Sequence, residues 1–161
     1  MTTPAAPVQS PQFWDAARRH YDDAKHLVAW DRPGSADHLA GFAAECAIKA
    51  ILVAFLGSQL DGKGMPFSPA LQTTSKDRKV YGHGHLPGLW GQLATLANGR
   101  VGPVFTGLVA QPNPFTQWDV ADRYSDASTI NTTRVTRHLV AARALCSAYE
   151  MAQLTGTGSL A

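Results

Sequence analysis

The residues best suited to chemistry lie near the start of the last predicted helix, where Arg134, Arg137 and His138 occur close together. Because Arg134 and His138 are one helical turn apart, they share a face of that helix. Histidine transfers protons near neutral pH and arginine stabilises developing negative charge, so these residues could cleave RNA without a metal ion. The alternative is a basic helix face in contact with solvent, which is the ordinary place for arginine and histidine.

A second candidate group is centred on Glu45 and Lys49, which lie one turn apart in an apolar stretch. Buried charges are costly unless they are paired, so we expect Glu45 to reach a further cation, with Arg123 beside Tyr124 as the first candidate. Two interpretations stay open. The group is either an ion-pair network that locks helices together or a polar cleft, completed by His85, that holds a phosphate or a base.

The remaining motifs do not predict a metal or a cofactor. His83 and His85 flank a glycine, but no cysteine lies nearby, so we expect no zinc site there. We expect His85 to cap the third helix or to form a hydrogen bond within the cleft. The order of residues in a phosphate-binding Gly-x-x-x-x-Gly-Lys-Ser/Thr loop is absent, and no nucleophile motif is recognisable.

Four aromatic side chains could stack on nucleic-acid bases: Trp14, Trp90, Phe115 and Trp118. Aromatic residues at helical spacing are more often part of a core. We therefore assign Trp14 and Trp90 to the core, and the placement of Trp118 stays open.

The element that must position these groups is the segment from Ser35 to Gly57, SADHLAGFAAECAIKAILVAFLG, which is apolar around most of its circumference. Pro33 and Gly34 break the preceding structure, Ser35 can cap the first turn, and Gly57 can take the left-handed conformation that ends a helix. The pattern predicts a central helix that other helices cover on more than one side.

Helical periodicity predicts further helices before and after the central one. The first starts with Ser10 and Pro11 and ends near Ala29, and the last starts between 129 and 132 and ends near Leu154. The intermediate predictions are a helix at 85–98 closed by Asn98-Gly99, a turn or two at 104–109, and an irregular segment at 111–122 that Phe115 and Trp118 anchor. The stretch 58–84 loses periodicity and is expected to be a mobile loop.

These elements predict an all-α fold, an antiparallel bundle of four or five helices with a long loop between the second and third. A length of 161 residues suits one domain. We expect residues 1–10 to be a disordered lead, 11–154 to form the domain, and 155–161 to be a flexible tail.

The composition limits the classes of function. A net charge of +2 is too small to indicate a nucleic-acid binder by itself, although a local basic patch is compatible with it. Cys46 and Cys146 are expected to be reduced, buried thiols, with a disulfide between helices as the alternative. The N-terminus lacks a signal peptide, and the apolar run 48–57 is shorter than the ~20 residues of a membrane span, so we expect a cytoplasmic protein without a membrane anchor.

Three stretches resemble the HEPN superfamily (higher eukaryote and prokaryote nucleotide-binding domains). They are HLAGFAAECAIKAIL at 38–52, the His-Leu at 85–86 and WDVADRY at 118–124, and the resemblance spans 13–150. It implies a four- or five-helix protein of a toxin–antitoxin, phage-defence or RNA-processing system. It also implies a homodimer, often accompanied by a nucleotidyltransferase, in which an Arg followed after four to six residues by a His forms a metal-independent ribonuclease site.

The chain departs from that ribonuclease pattern. Only three residues separate Arg134 from His138, whereas Arg78 has the family spacing to His83 and to His85 but lies in the long loop. Two hypotheses follow. The first is a non-catalytic HEPN-like module that dimerises and binds a nucleotide, an RNA or a protein. The second is an active ribonuclease that uses His138 with Arg134 and Arg137, or a rearranged site at Arg78, His83 and His85. The spacing favours the first.

Overall fold

The computed structural model of the chain describes residues 11–71, 82–100 and 103–156, with the side chains of residues 99 and 100 left out. The described residues form five α-helices and one small antiparallel sheet of two strands. The elements are α1 Phe13–Ala29, α2 Pro33–Phe55, β1 Gln59–Leu60, β2 Pro66–Phe67, α3 Gly88–Arg100, α4 Pro103–Val109 and α5 Thr132–Thr155. The all-α prediction is confirmed.

Helix α2 is the centre of the fold, as the sequence predicts. It packs against α1 on one side and α5 on the other, and smaller contacts join it to α3. Most of its apolar residues are buried, among them Ile48, Ile51 and Leu52. The small side chains of Ala43, Ala44 and Ala47 are also fully buried, and their size is suited to close approach of neighbouring helices.

The predicted start of α2 is wrong by two residues. The helix begins at Pro33, and Ser35 lies inside its first turn, where it makes no capping hydrogen bond. Proline suits a first helical position because the N–H that it lacks has no partner there. At the other end Gly57 has a positive φ of 74°, the left-handed conformation predicted for it.

Among the described helices, α2 alone is long and apolar enough to cross a membrane. The run 48–57, which is too short to span a membrane, covers only the last part of this helix, which has 23 residues. Most of its apolar window is buried inside the protein, which is typical of the core helix of a folded domain.

The first and last helices end close to their predicted limits. Helix α1 begins at Phe13 after Gln12, and the predicted cap Ser10 lies outside the described residues. Helix α5 begins after Asn131, whose side chain accepts a hydrogen bond from the Arg134 N–H, and it ends at Gly156 in the left-handed conformation.

The third helix is wrong at both predicted ends. Helix α3 begins at Gly88 rather than His85, and it continues past Asn98-Gly99 to Arg100. His85 precedes the helix, and its backbone carbonyl, not its side chain, accepts a hydrogen bond from the Leu89 N–H. The irregular segment before α5 is anchored as predicted, because Phe115 and Trp118 are both fully buried.

The connection between α2 and α3 contains structure that the sequence did not predict. Strands β1 and β2 pair Gln59 with Phe67 and Leu60 with Pro66, and a single bridge joins Phe67 to Gly82. The Asp61 side chain accepts hydrogen bonds from two backbone N–H groups and so fixes the turn between the strands. The rest of the predicted loop, 72–81 with Arg78, lies outside the described residues, as do the lead 1–10 and the tail 157–161.

Candidate functional site

The candidate site in the last helix is built around an aspartate that the sequence analysis did not select. Asp37 of α2 is fully buried, and one of its carboxylate oxygens accepts a hydrogen bond of 2.7 Å from His138 Nδ1. The other oxygen lies 3.0 Å from both Nε and Nη2 of Arg134. Arg134 also reaches Asp122 at 2.5 Å. These four residues, the Asp37 network, tie α2 and the 3₁₀ turn Val120–Tyr124 to α5.

The Asp37 network is enclosed by aromatic side chains. Trp118 donates its indole N–H to the backbone carbonyl of Asp37 at 3.2 Å, and the ring of Phe115 lies against that of His138 with 5.1 Å between the centroids. His138 is 0% exposed, and its Nε2 is buried without a hydrogen-bond partner among the described residues. The imidazole is therefore in the core.

The solvated-face interpretation of the α5 residues is correct for only one of the three. The solvated-face interpretation is wrong for His138 and for Arg134, whose side chain is only 11% exposed. It holds for Arg137, which is exposed and donates a hydrogen bond to Gln117. The three residues predicted to act together are thus separated into a buried pair and one surface arginine.

The Asp37–His138 contact resembles the contact between an orienting carboxylate and a catalytic histidine. With Nδ1 donating to Asp37, Nε2 is the nitrogen that would accept a proton from a substrate. A general base must come within hydrogen-bonding reach of that proton. Because Nε2 is enclosed, the described arrangement orients the imidazole but gives a substrate no access to it.

The second predicted group forms in part. Glu45 accepts a hydrogen bond of 2.8 Å from Lys49 and a bifurcated one from His85 Nδ1, which lies 3.0 Å from each carboxylate oxygen. Glu45 and Lys49 are both buried, whereas the side chain of His85 is 56% exposed. We call these three residues the Glu45 cluster. It pins the segment before α3 to the middle of α2.

The predicted contact between Glu45 and Arg123 is wrong. Arg123 donates a hydrogen bond to the Val120 carbonyl, and its guanidinium lies 4.6 Å from the ring centroid of Tyr124. His85 is the second partner of Glu45, so the buried carboxylate is paired without Arg123. Of the two interpretations left open, the shared polar cleft does not form, because its residues lie in two separate places, the Glu45 cluster and the surface around Arg123 and Tyr124.

The sequence singled out His83 for a rearranged site with Arg78 and His85, but its actual partners form a third polar group that was not predicted. His83, 1% exposed, donates from Nδ1 to Gln92 at 2.6 Å, and its Nε2 accepts a hydrogen bond of 2.8 Å from Ser58. Burial lowers the pKa of His83, so the imidazole is neutral, as these two roles require. The order serine, histidine and amide resembles a hydrolase relay, but Ser58 is buried too, and the group joins the end of α2 to α3. The only sequence signal was the Gly-His-Gly around His83.

Three of the surface cavities contain a candidate residue, Arg137 or Arg123. One of 580 Å³ contains Arg137 and Thr133, and one of 370 Å³ contains His38 and Arg123. The third, of 480 Å³, is an apolar groove beside Val140. Within the described part of the chain, no three His, Cys, Asp or Glu side chains are grouped so as to hold a metal ion. Both cysteines are free thiols.

Comparison of the chain with protein-family models, with curated proteins and with solved structures gave no match.

Proposed function

We propose that this chain is a non-catalytic HEPN-like helical module that binds a nucleotide or RNA. The observation that carries the proposal is the state of His138, fully buried, fixed by Asp37 and enclosed at Nε2. Arg134 is likewise engaged by two carboxylates. Residues that a ribonuclease would present to its substrate here hold two helices together.

The same geometry argues against the rearranged site. His83 is buried between Ser58 and Gln92, and His85 is bound to Glu45. The His83 imidazole cannot exchange a proton with a phosphodiester without first breaking one of its contacts, so the rearranged site loses one of its two histidines. His85 is bound only through Nδ1 and its side chain is 56% exposed. Metal-independent ribonuclease activity remains the alternative hypothesis, and it requires the Asp37 network to open.

The proposal includes the cellular setting and arrangement that the resemblance implies. The setting is a cytoplasmic defence or toxin–antitoxin system in which a nucleotidyltransferase is a candidate partner. The fold is an antiparallel bundle, which is supported by the connection of only Trp30–Arg32 between α1 and α2, since short connections join antiparallel neighbours.

Formation of a homodimer is supported by the apolar groove of 480 Å³, which is lined by Trp90, Leu108, Pro112, Val140 and Ala141 among others. Val140 is exposed on α5 although it is a large apolar residue. A contiguous apolar surface of this kind marks an interaction site. Light scattering at micromolar concentration should give twice the monomer mass, and Val140→Glu should restore the monomer. A monomeric wild-type protein would exclude the dimer.

RNA incubation tests the function. Purified wild-type protein, with a chelator present, is mixed with total RNA beside a His138→Asn variant. Asparagine can still donate a hydrogen bond to Asp37 but cannot transfer a proton at neutral pH. We expect RNA to be retained in a gel-shift assay and to stay intact with both proteins. Cleavage by the wild type that His138→Asn abolishes, at an unchanged melting temperature, would establish the ribonuclease. Cleavage that both proteins share would come either from the rearranged site or from a contaminating nuclease. Loss of that cleavage in a His83→Ala variant would establish the rearranged site, and loss on repeat purification would establish the contaminant.

A further inference from the structure

Helix α5 has a second, mainly apolar stripe on the side that faces away from the core. Three of its members are large apolar side chains that are well exposed, Val140 at 64%, Met151 at 51% and Leu154 at 85%. Ala144 and Ser147 lie between them and are exposed as well. Single exposed apolar residues are ordinary, whereas a row of them on one helix face marks an interaction surface. We call these five residues the α5 stripe.

The spacing along the α5 stripe is that of a coiled coil. Its successive members are four, three, four and three residues apart. This alternation is a heptad pattern, in which Ala144 and Met151 occupy a positions and the other three members occupy d positions. A 3.5-residue repeat keeps one seam of a helix against one partner helix over its whole length. The partner that fits the α5 stripe is therefore another helix that lies along it.

Two opposite charges border the α5 stripe on one side. Arg143 and Glu150 both occupy g positions, and both are exposed. Neither forms an ion pair or a hydrogen bond within the part of the chain that the structure describes. They are two helical turns apart, about 10 Å along the axis, which is too far for them to pair directly with each other. Arg18 and Asp22 of α1 line the same small cavity and add one charge of each sign.

These charges match a second copy of α5 in the antiparallel orientation. In an antiparallel coiled coil, a residues pack on the d residues of the partner, and g residues face g residues. One such register packs Ala144 on the partner's Ser147. The same register places Arg143 beside the partner's Glu150, and twofold symmetry repeats both contacts. A parallel pair would instead bring each g residue to an e position, and the e positions that flank this stretch hold alanine, so it would form no such ion pair.

The antiparallel register also covers the apolar groove of 480 Å³. It places the partner's Met151 opposite Val140 and the partner's Leu154 opposite Arg137. Val140 and Arg137 both line the groove, and the methylene stem of an arginine packs well on an apolar side chain. The centre of the stripe has only small side chains, which allows the two helix axes to approach closely. The large apolar side chains that each copy exposes on α5 are thus covered by the other copy.

We propose that α5 pairs with the α5 of a second copy as an antiparallel coiled coil, in which Arg143 of each copy forms an ion pair with Glu150 of the other. This inference rests on the homodimer of the proposed function and gives that dimer its interface. The partner is a second copy of this chain because the pattern of charge is complementary to itself under a twofold axis.

Sedimentation equilibrium of the full chain measures the dissociation constant of the dimer. The first variant is Met151→Glu, which puts a charge into the α5 stripe at a residue that does not line the groove. It therefore separates this interface from one that uses the groove alone. Met65→Glu is the matched control, because Met65 precedes β2 and is 49% exposed. Both changes are at exposed positions, so the helical circular dichroism of each variant should match that of the wild type.

Charge exchange tests the orientation of the two helices. The variants are Arg143→Glu, Glu150→Arg and the double variant with both changes. Arg19→Glu is the matched control, because it makes the same change of charge at an exposed position on α1. Each single change sets like charges side by side twice in the dimer, whereas the double change restores both ion pairs with their ends exchanged.

We expect Met151→Glu to weaken the dimer by about 100-fold or more, because a charge at the seam would lose water without gaining a partner. Each single charge variant should weaken it about tenfold, and the double variant should return to within about threefold of the wild type. The two control variants should dimerise as tightly as the wild type.

The possible failures are distinguishable. A dimer that Met151→Glu does not weaken would overturn the α5 interface and leave the homodimer of the proposed function in place. Single charge variants that dimerise as tightly as the wild type, or a double variant no tighter than the single ones, would overturn the antiparallel pairing. A monomeric wild type would overturn both the interface and the homodimer, while RNA binding is measured separately in the gel-shift assay.

Discussion

Replacement of Asp37 by alanine should be among the most damaging single changes in this chain. The carboxylate is buried and accepts hydrogen bonds from His138 and Arg134. Removing one partner of a buried ion pair costs about 3–5 kcal/mol, and leaving a buried N–H without an acceptor costs about 1–3 kcal/mol. Because Arg134 keeps its contact with Asp122, we expect Asp37→Ala to lower the free energy of unfolding by about 3–5 kcal/mol in total.

Thermal and denaturant unfolding measure this loss. For a chain of this size each 1 kcal/mol corresponds to about 2–4 °C, so the melting temperature should fall by about 6–20 °C. The control is Asp122→Ala, which removes another carboxylate from the same arginine. The Asp122 side chain is 26% exposed and Arg134 keeps Asp37, so this variant should lose only about 1 kcal/mol.

Coupling between Asp37 and His138 provides a second test of the same reasoning. The His138→Ala and Asp37→Ala changes remove opposite ends of one hydrogen bond. The double variant should therefore lose about 1–3 kcal/mol less free energy of unfolding than the sum of the two single losses. Strict additivity, or an Asp37→Ala loss no larger than that of Asp122→Ala, would refute the view that Asp37 organises the core.

Three further predictions concern packing, pH and thiol reactivity. Gly41→Ala should destabilise the protein by about 2 kcal/mol or more, because the new Cβ would overlap the Trp118 indole, whereas Gly91→Ala in α3 meets open space and should be neutral or stabilising in the same melting assay. Burial lowers the pKa of His83 from its ordinary 6.5, so the folded state binds fewer protons, and stability that is fully present above about pH 6.5 should fall as the pH decreases below it. In His83→Gln the melting temperature should decrease less as the pH is lowered below about 6.5. A pH dependence equal to that of the wild type would contradict the assignment to His83. Burial raises the pKa of Cys46 and of Cys146 to about 11, so iodoacetamide near pH 8 should modify them only after unfolding, and rapid labelling of the folded protein by mass spectrometry would contradict their placement.

Periodicity was sufficient to predict most of the helices. Helix α2 has apolar residues on most faces, and α5 has one apolar stripe, so their positions follow from the 3.6-residue repeat. The start of α3 was misplaced because His85 has a fixed partner in Glu45, a tertiary contact that local sequence does not encode. Strands β1 and β2 have two residues each, too few for an alternating pattern to be visible.

The candidate site was harder to predict because its partners are far apart in sequence. Arg134 and His138 have an ordinary surface pattern, and only Asp37, about 100 positions earlier, makes them buried. A signal was present, since Asp37 lies on the same face of α2 as Gly41 and Ile48, which are both buried. A buried carboxylate requires a cation, and that requirement could have directed attention to the arginine and histidine of α5.

Histidine footprinting tests the central claim, that His138 belongs to the core and not to an open active site. Diethyl pyrocarbonate acylates accessible imidazoles, and mass spectrometry of the digested protein gives a rate for each one. His85 and His26 are exposed and serve as internal references. We predict that both are modified in the folded protein while His138 stays unmodified until denaturant is added. Modification of His138 as fast as His85 in the native state would contradict the account and would favour the ribonuclease hypothesis instead.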